Sequence, residues 1–110
     1  MPRPYVTIGG FMSIDGKTAP ANRRGREFTS LMSNRHLKLL HEIRAKYDAI
    51  VVGVETVIMD NPRLTIRLVK AKNPLRIVLD SKARTPLNSA ILNVNEAPTL
   101  IATTKKAPLK

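Results

Sequence analysis

The chain has 110 residues, 43% apolar and 25% charged, the balance of a single globular domain able to bury a core. Its formal net charge of +11 calls for an anionic counterpart: a phosphorylated ligand, a nucleic acid or an acidic segment. The absence of cysteine excludes disulfides and thiolate metal sites, and no apolar run approaches the roughly eighteen residues of a membrane span.

The aromatic residues are Tyr5, Phe11, Phe28 and Tyr47, a small stacking surface for a single-stranded nucleic acid. The N-terminal apolar stretch is short and runs into Ser13-Ile14-Asp15-Gly16, which does not fit a signal peptide. The expected location is the cytoplasm.

In chain order, Tyr5–Met12 reads as a first strand, with Gly9-Gly10 marking a bulge or a close approach by another group. Ser13–Gly16 is a turn, since Asp-Gly permits positive φ. Residues 17–26 form a basic loop in which Arg23, Arg24 and Arg26 are either solvated or set against phosphate. Ser33 or Asn34 can cap a helix running to about Lys46. Leu37, Leu40, His41 and Arg44 fall on one stripe of that helix, with Ile43 widening its apolar side. Arg44 at the stripe's edge either covers the core with its stem or reaches a ligand phosphate. His36 and His41, five residues apart, point away from each other and are not a metal pair.

The stretch from Asp48 to Arg67 organises the rest. Ala49-Ile50-Val51-Val52 suits a parallel strand buried on both faces. Gly53 ends it, and Val54–Met59 makes a short helix whose first turn carries Thr56. That arrangement brings free amide groups and a hydroxyl beside an anionic ligand. Asp60-Asn61-Pro62 stops the helix, because the residue before proline is pushed out of helical geometry. Leu64–Arg67 follows as an alternating segment ending in a cation. Residues 69–73 are a basic loop. Leu75–Leu79 reads as a further strand ending at Asp80-Ser81, where open α/β sheets bind ligands. Residues 82–87 leave it as a loop, and Thr99–Thr103 is the last strand.

Helical and long loop connections favour a mostly parallel sheet. Such a sheet needs cover on both faces, and one good helix is visible. Either extensive dimerisation or a further C-terminal portion is required.

Several of these blocks together resemble the riboflavin-biosynthesis pyrimidine reductases of the dihydrofolate-reductase-like fold. They are Ser13–Ala19, Glu42–Ala45 with Asp48–Ile50 and Val52-Gly53, Thr56-Val57 with Asp60–Thr65, and Pro74–Ser81. The resemblance implies a three-layer α/β sandwich around a mostly parallel sheet, of which these residues are the N-terminal part of one domain. It implies NADPH as cofactor, held by Thr56, Asp60 and Ser81; Gly53 at the strand end and Arg84 in the loop after the Leu75–Leu79 run are further candidates for the same cofactor. It places Arg44, Leu64 and Arg67 against the ribose phosphate of a ribosylamino-pyrimidine 5′-phosphate, which is reduced to its ribitylamino form. With no zinc-deaminase motif ahead of the domain, the chain looks more like the stand-alone reductases of archaea and fungi, which act before deamination. A homodimer is expected, and no membrane partner.

Asp60 is the carboxylate placed to deliver a proton, to hold the nicotinamide amide or to cap the turn. The competing readings are a basic nucleic-acid-binding module, with steeply salt-dependent binding, and a non-catalytic fragment that needs further polypeptide.

Overall fold

The computed structural model describes residues 3–10, 12–17, 19–67, 69–105 and 107, without the side chains of Phe28 and Thr29. Phe11 and Thr18, which belong to two of the segments above, lie outside the described residues.

The elements run α1 (Arg26–Thr29), α2 (Asn34–Arg44), β1 (Ala49–Gly53), α3 (Val54–Asp60), β2 (Leu75–Leu79), a 3-10 turn (Ala90–Leu92) and β3 (Thr99–Ala102). The short α1 was not foreseen from the sequence. The three strands form a parallel sheet in the order β1-β2-β3. The fold is α/β around a parallel sheet, as the connections had indicated.

Local chemistry accounts for the element ends. Ser33 caps α2, its hydroxyl accepting the His36 backbone N–H at 3.3 Å. Asn61 ends α3 in the left-handed region (φ 45°), and its N–H returns to the Val57 carbonyl at 3.0 Å. Asparagine tolerates that conformation better than most residues, and Pro62 blocks continuation. The Ser13–Gly16 turn forms as expected, with Gly16 at φ 84° and the Lys17 N–H donating to the Ser13 hydroxyl at 3.0 Å.

Strand register divides the sheet into two unlike faces. Ile50, Arg76 and Thr99 share one face with Val52, Val78 and Ile101. Val78 joins Val54 and Val57 of α3, Leu64 of the following loop and Ile91 of the 3-10 turn in a single core cluster. Complete burial of Val57, Val78 and Ile91 stabilises the fold by about 1.5–3 kcal/mol each. The opposite face carries Val51, Ile77 and Leu100 in one row, with Leu79 beyond them. Val51, Leu79 and Leu100 are 52%, 55% and 52% exposed. The expectation that β1 is buried on both faces is therefore corrected. Ile50 and Val52 pack against the core, whereas Val51 points to an open face.

Three further expectations are corrected. Tyr5–Gly10 and Met12 carry no strand, and Tyr5, Val6 and Ile8 are exposed. Their β-forming side chains find no described strand to pair with, and strand propensity without a ladder does not make a strand. Ile43 does not widen the buried side of α2 but is exposed. The covered stripe is the narrower one of Leu37, Leu40, His41 and Arg44. Leu64, Thr65 and Ile66 are all buried rather than alternating.

Candidate functional site

Parallel strands bring their carboxyl ends to one edge, and four of the candidate cofactor residues, Gly53, Thr56, Ser81 and Arg84, follow the ends of β1 and β2 there. Gly53 closes β1 and occupies the N-cap of α3 with extended backbone (φ −79°, ψ 158°) and no side-chain cap. Apart from its own chain neighbours, no described atom lies within 4 Å of where its Cβ would stand, so the space above the turn is open to a ligand. Thr56, in the first turn of α3, is exposed. Arg84 donates to the Glu55 carboxylate at 2.9 Å, and Arg23 approaches the same carboxylate at 3.6 Å. Glu55 thus gathers two cations beside Thr56.

The other wall of this edge begins at Asp80, the residue after β2. Its buried carboxylate accepts N–H bonds from Arg84 at 2.8 Å and Thr85 at 2.7 Å, and the Thr85 hydroxyl at 2.6 Å. Burial alone would raise the Asp80 pKa, but these hydrogen bonds and the Arg84 charge hold it below the ordinary carboxylate value. Asp80 therefore fixes the loop that presents Ser81 and Arg84. Ser81 is exposed, and its carbonyl accepts the Thr104 hydroxyl at 2.8 Å, linking the tips of β2 and β3. Asp60, at the end of α3, accepts the Arg26 backbone N–H at 3.2 Å. It lines a cleft of about 370 Å³ with Arg24, Arg26, Glu27, Ser30 and Met59.

The candidate phosphate residues form a second group, around residues 62–67. Arg44 reaches from α2 toward the Thr65 carbonyl at 3.4 Å, and its buried Nε has no hydrogen-bond partner. Arg67 donates to the Thr65 hydroxyl at 2.8 Å. Neither guanidinium forms an ion pair with a carboxylate among the described residues. Burial and the charge of Arg67 lower the pKa of Arg44. Burial and the charge of Arg63 lower that of Arg67, opposed by Glu96. Two cations that repel one another and lack a carboxylate form a site that a bound anion would relieve. Leu64 stands apart from this pair. Its side chain is buried in the core cluster at positive φ (54°), which leaves its backbone to line a site.

The supporting roles of three residues carried no signal in the sequence. Arg76 is fully buried in β2 and donates to the carbonyls of Arg63 at 3.0 Å, Asn93 at 2.9 Å and Ala97 at 2.7 Å. Asn73 accepts the Ile66 N–H at 2.7 Å and donates to the Glu96 carbonyl at 2.8 Å. His41, on α2, accepts the Arg67 backbone N–H at 2.9 Å. Their partners lie in loops distant in sequence, so no periodicity could reveal them. Among the described residues no cluster of metal-binding side chains occurs, and no helix is long and apolar enough to cross a membrane.

Comparison with known proteins gives this geometry a context. The chain is 53% identical over 109 residues to the 2,5-diamino-6-ribosylamino-4(3H)-pyrimidinone 5′-phosphate reductase of Aquifex aeolicus, a match covering 98% of the chain and 49% of that protein. It is 43% identical to the reductase of the same name from Methanothermobacter thermautotrophicus, covering 96% of the chain and 48% of that protein. The chain thus spans about half the length of these relatives. Its structure superposes on a diaminohydroxyphosphoribosylaminopyrimidine deaminase/5-amino-6-(5-phosphoribosylamino)uracil reductase from Thermotoga maritima with a TM-score of 0.69 and 30% identity, covering 90% of the chain and 28% of that protein. The profile of the RibD C-terminal domain matches residues 4–110, and the chain belongs to that family.

Proposed function

We propose that this chain is the N-terminal part of an NADPH-dependent reductase that converts a ribosylamino-pyrimidine 5′-phosphate to its ribitylamino form in riboflavin biosynthesis. The names of the two half-matched relatives favour the diamino-pyrimidinone as substrate. The observation that carries the reading is the Arg44–Arg67 pair, a half-buried and an exposed cation with no carboxylate ion-pair partner among the described residues. A phosphate monoester supplies the charge and the several acceptor oxygens that such a pair lacks.

The strand-end edge fits a phosphorylated dinucleotide. Gly53 leaves open space, Thr56 offers a hydroxyl, and Ser81 and Arg84 stand on a loop fixed by Asp80. NADPH, when bound, supplies the hydride that adds to the carbon joining the sugar to the ring-borne nitrogen. The chain's own contribution is orientation: Arg44 and Arg67 anchor the far end of the substrate while the strand tips hold the cofactor. Asp60 is assigned to hold the nicotinamide amide, with delivery of the proton that balances the hydride as its alternative role.

The open sheet face supports the half-domain reading. A parallel sheet that exposes Val51, Leu79 and Leu100 has an apolar surface that relatives of twice the length have further polypeptide to cover. A homodimer in the cytoplasm completes the proposal. Titration with NADPH, followed by nicotinamide fluorescence, tests the cofactor assignment. Saturable binding that weakens on Thr56→Ala and Arg84→Ala supports it, and equal binding by both variants removes these residues from the site.

A further inference from the structure

The buried imidazole of His41 contacts Arg67 but has no role in the proposed function above. It lies one turn before Arg44 on α2, is 3% exposed, and its Nδ1 accepts the Arg67 backbone N–H at 2.9 Å. A backbone N–H can only donate, so Nδ1 carries the lone pair and the proton of the neutral ring sits on Nε2. Arg67 is thereby held at two points, its amide by α2 and its guanidinium by the Thr65 hydroxyl.

From this geometry we propose that His41 is a positioning residue for the anion site, its neutral ring tethering the Arg67 backbone beside Arg44, and that protonation of the ring releases the tether. The inference rests on the reading of Arg44 and Arg67 as a phosphate-binding pair. Once Nδ1 is protonated, it presents a donor to a donor, and the hydrogen bond is lost. The charged groups that act on the ring are Arg44 from its own helix and Arg67 from the facing loop, both cationic. Burial first, then these two charges, keep its pKa below the ordinary 6.5, which leaves the acceptor form dominant near neutral pH.

The direction of the effect separates this role from direct contact. An imidazolium touching the anion would tighten binding on acidification, whereas loss of the tether weakens it. Sulfate is the suitable probe because its charge does not change over the relevant range, unlike that of a phosphate monoester. Sulfate affinity is read from backbone amide shifts from about pH 8 downward, through the pH at which imidazole ¹⁵N shifts report protonation of the His41 ring. Wild type should weaken roughly three- to tenfold toward acid, the range expected for one hydrogen bond. His41→Asn, whose amide oxygen can take the Arg67 N–H and does not titrate, should bind with the high-pH affinity throughout. His41→Ala should bind weakly throughout.

Tightening toward acid, or wild-type affinity in His41→Ala, would overturn the proposal. Imidazole ¹⁵N shifts of the wild type provide a check independent of any variant's folding, and a proton found on Nδ1 at neutral pH would also overturn it. Failure of the underlying reading looks different: Arg67→Ala would bind sulfate as tightly as wild type, or sulfate would not bind at any pH while the Arg67 amide stayed protected from exchange.

Discussion

Replacing Arg76 with methionine is the most informative perturbation of the scaffold. Methionine keeps much of the side chain's length and apolar stem but removes the donors to the Arg63, Asn93 and Ala97 carbonyls. Each buried acceptor left without a donor costs about 1–3 kcal/mol, so about 3–9 kcal/mol is an upper range, because the bond to Ala97 is buried and those to Arg63 and Asn93 are part-buried. The buried guanidinium has its own cost, since its Nε lacks a partner and no carboxylate pairs with it among the described residues. Removing that desolvated charge offsets part of the loss, leaving a destabilisation of about 3–5 kcal/mol. A domain of this size has about 5–15 kcal/mol in total, so the variant should be marginal. With a urea dependence of about 1.5 kcal/mol per molar, the unfolding midpoint followed by circular dichroism should fall by about 2–3 M. Arg76→Lys, which retains a charged donor head, should lose less. A methionine variant whose midpoint stays within about 0.5 M of wild type would refute the claim that this guanidinium joins the 61–67 and 90–98 loops to the sheet.

Other expected outcomes follow from the same geometry. Ser33→Ala removes the cap of α2 and should cost about 1 kcal/mol in urea unfolding, with Ser33→Asp largely restoring it. Asp80→Ala leaves the Arg84 and Thr85 donors unpaired and should cost about 2 kcal/mol, together with weaker NADPH binding measured by fluorescence. The pKa of Asp80 is lowered in the folded state, so its contribution is present above the ordinary value of 3.8 and lost as pH falls through the folded value. The pKa of His41 is also lowered, so the folded state binds fewer protons. Its contribution is full above about pH 6.5 and declines as pH falls through the folded value, a slope that His41→Asn should abolish in stability-versus-pH measurements. On the open sheet face, Leu79→Lys should change the stability of the isolated chain by less than about 0.5 kcal/mol, because more than half of that residue's surface is exposed.

What the sequence disclosed and what it withheld divide along the range of the interactions. Ser33, Gly53 and Pro62 act within a few residues of where they stand, so the ends of α2 and α3 were legible. The apolar runs of β1, β2 and β3 read correctly because strand identity there is written in consecutive side chains. Tyr5–Met12 has the same local character, yet its pairing depends on a neighbour that the segment cannot specify. Val51 shows the same gap from another side, since burial on both faces requires a second layer and not merely β-branched residues.

The candidate residues could be named from the sequence, but the residues that support them could not. Thr56, Ser81 and Arg84 stand near the strand ends, and Arg44 and Arg67 both meet Thr65. The residues that hold them act over long separations: His41 on Arg67 across 26 residues, and Arg76 on Ala97 across 21. A histidine in a helical stripe and an arginine in a strand look ordinary until their partners are known.

The central claim is that these residues carry the phosphate and cofactor contacts of a pyrimidine reductase whose sheet is completed by further polypeptide. Its most direct test mixes this chain with the remaining half of the Aquifex aeolicus relative, expressed separately. NADPH oxidation is then followed with the ribosylamino-pyrimidine 5′-phosphate. The account predicts turnover from the mixture alone, abolished by Leu79→Lys through loss of association and reduced through substrate affinity by Arg67→Ala. A mixture that associates and turns over equally well with Arg67→Ala and Arg44→Ala would contradict it.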